Sequence, residues 1–325
     1  MTFLKYFIPI IVEGNKRGIS SKVFIRSNNK YTDPYNELNF PILKKHSEDF
    51  NFEILDLEDI KNYSGVTFTV EGVDIHMLGK NHKKIVLTYQ TDFVVLFDRY
   101  KNEADHIIFP SEKFATYYEK QSDKNLYLGS PKYDNLLERE DILKRYGLSE
   151  KEKYVLLPWP RVRDESKVDL NMIVQALSKM GFFLLIKCRG KEPHLQLKKA
   201  KMSGQLSKTR AGYWEDEMWH PHPSLDLVKV ADFVLNFDST IIKETVLLRK
   251  NVINFHIKPF DPMLSFLYEY DYCLNLDPKI LFDNFSEKVL SFYDKKHDEA
   301  FDRSIKDNLF ETGNSSKKIL DYFSS

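Results

Sequence analysis

The chain has 325 residues, long enough for two cores, and 42% of them are apolar against 30% charged, which excludes a disordered protein. Its 48 basic and 48 acidic residues balance, which argues against a dedicated nucleic-acid binder and leaves room for a local basic crevice. Two cysteines, Cys188 and Cys273, make neither a disulfide framework nor a thiolate metal site, so a reducing, cytoplasmic setting is expected.

Leu4, Phe7, Ile8, Ile11 and Val12 recur at helical spacing, so the opening stretch reads as an amphipathic helix ended by Gly14 or Gly18. It lacks a small-residue cleavage pattern. No run reaches the ~18–20 apolar residues of a spanning helix. Peripheral contact with the inner face of a membrane stays open. SKVFI then reads as a buried strand, followed by strands at 52–57, 66–70, 84–88 (KIVLT) and 106–109 (HIIF). A helix over 111–119, a strand over 125–128, the turn Gly129-Ser130-Pro131 and a helix over 133–146 follow. The charged segment LSEKEK, 148–153, reads as a link. It divides a first domain, 1–148, from a second, 149–295, with C-terminal helices over 296–325 that pack back on the first.

The second half repeats the alternation. Strands at 154–157, 182–187 (FFLLIK), 233–237 and 252–255 are separated by helices at 170–180, 224–230 and 241–248. This order predicts an α/β protein with mostly parallel sheets. Residues 191–223 are polar and irregular and read as a loop able to clamp a ligand.

Asp238-Ser239-Thr240 falls between the strand FVLNF and the helix IIKETVLL. Hydroxyls at the C-terminal edge of a parallel sheet suit an anionic ligand such as a diphosphate. A plain helix cap is the alternative. Glu244 is out of register with a capping box and lies one turn beyond Thr240, where it can take two ribose hydroxyls. The alternative is a solvent-facing pair with Lys243. Lys187 and Arg189 stand at the end of FFLLIK, with Gly190 allowing close backbone approach, and suit phosphate unless they form a surface turn. Arg161, in the loop PWPRVRD, can stabilise a departing diphosphate. His222 and Ser224 open the next helix and can line a base pocket, with Trp214 and Trp219 nearby; Ser224 reads as that helix's N-cap. His220 and His222 lack a third ligand, so no metal site is expected.

Asp92, following KIVLT, is the candidate general base, taking the proton of an attacking hydroxyl. A turn aspartate is the alternative. His76, His82 and Glu13 are further candidates.

The stretches YLGSPKYD (127–134) and HPSLDLVKVADFVLNFDSTIIKETVLLRKNVINF (222–255) resemble two-domain nucleotide-sugar enzymes of the GT-B fold. The likeness is to teichoic-acid glycerophosphotransferases, capsule transferases and UDP-N-acetylglucosamine 2-epimerases. It implies two Rossmann-like domains with mostly parallel sheets facing a central cleft, and donor binding on the second domain. Ser239 and Thr240 then correspond to diphosphate contacts and Glu244 to a ribose contact. The chain departs from the group in three ways. Cys188-Arg189-Gly190 replaces the histidine motif that the glycerophosphotransferases carry after the strand that FFLLIK resembles. Gln90-Thr91-Asp92 stands where the glycerophosphotransferases carry His-Gly. Thr240-Ile241 replaces the Gly-Gly turn of the epimerases. The expectation is a metal-independent glycosyltransferase with a UDP- or CMP/CDP-linked sugar donor and a glycan or lipid-linked acceptor. It needs no cofactor, binds no nucleic acid, and a homodimer stays open. Epimerase or hydrolase chemistry, glycerophosphate transfer and a non-catalytic nucleotide-binding role are the alternatives. A Rossmann dehydrogenase is not expected, because no G-x-G-x-x-G follows a strand.

Overall fold

The computed structural model describes residues 4–26, 40–88, 96–117, 119–134, 136–160, 169–188, 211–215, 223–257, 265–277, 284–308 and 313–324. The chain forms two compact units, Met1–Asn135 with Asp307–Ser325, and Leu136–Lys306.

In the first unit, helix α1 (Leu4–Lys16) leads into β1 (Lys22–Ile25) and helix α2 (Phe40–Phe50) into β2 (Glu53–Asp56). These two strands pair in parallel. Strands β3 (Gly65–Val70), β4 (His82–Leu87), β5 (His106–Phe109) and β6 (Asn125–Tyr127) make a four-stranded parallel sheet in that order. Alternation along each strand gives the sheet two apolar faces. Val86, Ile107 and Phe109 pack with α3 (Phe97–Tyr100) and α4 (Glu112–Tyr117), through Phe97, Tyr100 and Phe114. Ile85, Leu87 and Ile108 face the opposite way and meet Tyr6 and Ile10 of α1.

The second unit opens with α5 (Arg139–Tyr146), β7 (Lys153–Pro158), α6 (Leu170–Lys179), β8 (Phe182–Cys188) and β9 (Ala211–Glu215). It continues with α7 (Pro223–Val230), β10 (Phe233–Asn236), α8 (Ile242–Leu247), β11 (Asn251–Phe255), β12 (Cys273–Leu276), α9 (Phe285–Phe292) and α10 (Asp298–Asn308). All six strands run parallel, in the order β12-β11-β10-β7-β8-β9. The chain therefore builds outward from β7 to β9, returns to β10, and builds outward on the other side.

One face of this sheet carries Leu157, Ile186, Leu235 and Phe255 against Ile173 and Leu177 of α6 and Val289 of α9. The other carries Leu156, Leu185 and Val234 against Ile142 and Leu143 of α5 and Leu227 and Val228 of α7. The packing of Ile142 and Leu143 explains why the division between units precedes α5 and the charged segment 148–153. It also corrects the helix expected over 133–146. Pro131–Tyr133 is a 3-10 turn whose Tyr133 is buried, and the α-helix begins only at Arg139. Gly147 closes that helix in the left-handed region, at φ 63°. Residues 211–215, expected within an irregular loop, form the edge strand β9.

The last helix, α11 (Ser315–Ser324), belongs to the first unit. Ile319 and Leu320 join the core of Tyr6 and Ile10, and Arg17 at the end of α1 reaches Asp321 (2.7 Å). The buried Asp134 carboxylate accepts the amides of Ser315 (3.1 Å) and Ser316 (2.6 Å), satisfying two donors at the start of α11. Replacing Asp134 with Ala is expected to cost about 1–2 kcal/mol, the scale of a lost helix cap. Amide exchange should then quicken across residues 315–320, and unaltered exchange there would show that the carboxylate does not anchor the helix.

Candidate functional site

In an open parallel sheet, the loops at the C-terminal ends of two strands part where the strand order reverses, and a crevice opens between them. Here the reversal lies between β7 and β10, which pair directly. Pro158-Trp159-Pro160 leaves the end of β7, and Phe237-Asp238-Ser239-Thr240 leaves the end of β10. Trp159 is no loop residue on the surface: its side chain packs in the core and its amide donates to the Lys187 carbonyl (2.9 Å).

Side-chain alternation decides the chemistry of this edge. On the face covered by α6 and α9, apolar residues continue to the strand ends, as Leu157, Ile186, Leu235 and Leu276. On the opposite face the pattern turns polar in the last positions. Leu185 gives way to Lys187, Val234 to Asn236, and Val252 to Asn254 and then His256, with Asn275 beside Asn254 on β12.

These polar groups form a network. Asn236 accepts the Ser239 amide (3.2 Å) and donates to the Tyr268 hydroxyl (2.9 Å). Tyr268 in turn donates to the Ser239 carbonyl (3.0 Å). Asp238 has φ +49°, the left-handed region, in which aspartate is one of the less disfavoured residues. Its amide donates to Asn254 Oδ1 (3.0 Å), while its carboxylate accepts Asn254 Nδ2 (2.9 Å) and the Ile257 amide (3.1 Å). Asn254 also donates to Asn275 (3.2 Å). The turn after β10 is thus held from both of its ends.

Of the residues singled out in the sequence, Lys187 stands near the end of β8, Asp238, Ser239 and Thr240 in the turn after β10, and Glu244 in the helix that follows it. Lys187 and Glu244 are both buried, and so is Lys243, so the surface Lys-Glu pair is not formed. The Asp238 carboxylate is held by the network and supports the turn. Ser239 is half-buried and Thr240 exposed, and no hydrogen bond to either hydroxyl occurs among the described residues. The helix that follows is only six residues long, and its Ile242 and Lys243 amides turn back to the Ser239 and Thr240 carbonyls. The hydroxyls, more than the helix amides, are the groups offered to a ligand. Ser224 lies inside the first turn of α7 and not ahead of it as a cap, because the helix already begins at Pro223. Arg161, Arg189, His222, Trp219 and Asp92 lie outside the described residues, as do the side chains of Trp214 and its β9 neighbours.

The remaining candidate bases are in the first unit. His82 is buried at the start of β4, with Nδ1 against Thr67 Oγ1 (2.9 Å) and Nε2 against the Ile60 carbonyl (3.1 Å); both ring nitrogens are used in the fold. His76 is exposed in the 3-10 turn Ile75–Met77. Glu13 is held by Arg17 (2.9 Å) and Lys16 (3.4 Å), and chiefly the Arg17 hydrogen bond sets its carboxyl below the usual range. That makes it a weak proton acceptor. The sequence reading missed Glu71, which follows β3 and accepts the buried Tyr100 hydroxyl (2.9 Å). It also missed Asn236, Asn254 and His256. For the two asparagines the signal was available, as polar residues at every second position near the ends of otherwise apolar strands.

Among the described residues, no three His, Cys, Asp or Glu side chains are grouped to hold a metal, and no helix is long and apolar enough to cross a membrane. No family model and no curated protein matches the sequence. Solved structures do match. A UDP-GlcNAc 2-epimerase from Methanocaldococcus jannaschii is 15% identical, with 99% of this chain and 96% of that chain covered and a TM-score of 0.61. The H548A form of the wall teichoic acid polymerase TagF is 15% identical, with coverage of 94% and 88% and a TM-score of 0.56. A glycosyltransferase from Rickettsia africae is 12% identical, with coverage of 100% and 95% and a TM-score of 0.51. The chain shares with these structures a two-domain, mostly parallel GT-B fold.

Asn254 is both donor and acceptor to Asp238. Replacing it with Ala takes the acceptor from the buried Asp238 amide and one donor from its carboxylate, and should lower stability by about 1–3 kcal/mol in denaturant unfolding. A loss below about 0.5 kcal/mol would mean that the network does not support the turn.

Proposed function

We propose that the protein is a glycosyltransferase that takes a sugar from a nucleotide donor and passes it to a hydroxyl of a glycan or lipid-linked acceptor. The observation that supports this most is the Ser239–Thr240 turn. It presents two hydroxyls at the crevice where the order of the second unit's sheet reverses. In this reading the hydroxyls hold the donor diphosphate, and Lys187, Arg161 and Arg189 neutralise it. Glu244 takes the ribose hydroxyls, and His222 and Ser224 border the base. The donor in this reading is UDP-linked or CMP- or CDP-linked.

The reaction is an in-line displacement. The acceptor oxygen bonds to the anomeric carbon as the bond from that carbon to the phosphate oxygen breaks. Asp92 takes the acceptor proton, and the nucleotide leaves with the bonding pair. Cations and hydroxyls at the crevice stabilise the charge gathering on the departing phosphate, as preorganised donors do in such sites.

A thermal-shift panel of UDP, CDP, CMP and GDP and their sugars tests the reading. A ligand at ~100 times its Kd adds about 2.7 kcal/mol, which corresponds to a rise on the order of 5–10 °C. No stabilisation by any of them would overturn the donor site. Ser239→Ala and Glu244→Ala should each weaken binding of the preferred nucleotide about tenfold, the loss of roughly one hydrogen bond. Asp92→Asn should lower turnover by roughly 10²–10⁴ with donor affinity unchanged. Full turnover in that variant would move the base elsewhere.

A further inference from the structure

His256 extends from β11 on the same face as Asn254, two positions further along. Its Nδ1 lies 3.3 Å from Asp238 Oδ1. The two side chains differ sharply in exposure: 1% for Asp238 and 40% for His256. The carboxylate cannot turn to follow a mobile ring, because Asn254 and the Ile257 amide fix both of its oxygens. The ring is therefore set by the carboxylate. With Nδ1 directed to Asp238, the opposite edge of the imidazole, which bears Nε2, is directed away from it. Asp238 links this ring to the hydroxyl turn, since its side chain holds His256 and its backbone leads into Ser239 and Thr240.

The ring end of this pair is open to solvent, which screens it and limits what it adds to stability. A second-layer carboxylate that orients an imidazole is, in contrast, a common way to present a ring to a ligand. We propose that His256, in its imidazolium form and oriented by Asp238, is a phosphate-binding cation of this crevice, so that its contribution to binding a nucleoside diphosphate is larger at low pH than at high pH. The inference rests on the reading of the crevice as a nucleotide site and adds to it a residue and a pH dependence. Histidine changes charge between about pH 5 and 8, where lysine and arginine do not. Among the described residues, the titratable and polar groups on the neighbouring strand ends are these. Asp238 is the carboxylate against it, Asn254 and Asn275 are neutral, and burial pushes the Cys273 thiol on β12 up, which keeps it protonated. Asp277, just past β12, is exposed.

The test is calorimetric titration of UDP, CDP, CMP, GDP and inorganic pyrophosphate into the full chain at pH 5.5 and pH 8.0. It compares wild type with His256→Gln and with His256→Lys, which keeps a cation at both pH values. The terminal phosphate of the ligand also gains a proton in this range, so the quantity read is the ratio of variant to wild-type Kd. For His256→Gln that ratio should be on the order of 5–10 at pH 5.5 and below about 2 at pH 8.0, the effect of one charge-assisted hydrogen bond. His256→Lys should bind at pH 8.0 at least as well as wild type. Because the ring is exposed, His256→Gln should melt with wild type. Nucleotide binding that is indifferent to His256 at both pH values overturns this inference and leaves the donor site standing. Pyrophosphate binding that depends on His256, with no nucleotide bound, keeps the anion site and removes the nucleotide reading. Binding of none of these ligands removes both.

Discussion

The Asp238 carboxylate is buried between the ends of β10 and β11, where it accepts hydrogen bonds from the Asn254 side chain and the Ile257 amide. A carboxylate there is costly to bury unless its oxygens are satisfied, and these are. The left-handed backbone at Asp238 turns the chain sharply after the strand, and the Asn236–Tyr268 bonds hold the other side of that turn. Everything proposed for the crevice depends on this arrangement. It fixes the Ser239 and Thr240 hydroxyls, sets the His256 ring, and sits where the strand order reverses. The core below supplies rigidity: Leu235 and Phe255, one step deeper in the same strands, are fully buried.

The same construction explains why one edge of one sheet carries so many polar side chains. Strands covered on both faces are normally apolar throughout. Here the face toward α6 and α9 obeys that rule to the end, and the face toward α5 and α7 abandons it in the final positions. Buried asparagines at Asn236 and Asn254 would be a liability in a plain core. Paired with Asp238, Asn275 and Tyr268, they become the framework of a turn.

Much of this fold was legible in the sequence, because its strands are short apolar runs broken by turns and its helices have clear stripes. HIIF and FFLLIK fall where the strands are. The elements that escaped notice lacked that contrast. β9 begins with Ala and Gly, and β12 is four residues with an asparagine third, so neither announces itself as a strand. The helix expected from Tyr133 failed for a different reason. Tyr133 belongs to the core of one unit and Ile142 to the core of the other, and apolar spacing alone does not tell which core a residue enters. At the site, the turn itself was visible and its mechanics were not. Asp238 read as a ligand-facing or capping residue because its partners, Asn254 and Ile257, lie 16 and 19 residues away. His256 escaped because nothing local separates a strand-end histidine held by a distant carboxylate from a surface one.

Amide hydrogen exchange of the full chain, with and without a saturating mixture of UDP, CDP, CMP and GDP, addresses the central claim most directly. A donor site on the hydroxyl turn predicts added protection at residues 237–244 and 256–257, at the ends of β10 and β11. Protection confined to the first unit, or none at the turn while the nucleotides bind, would contradict it.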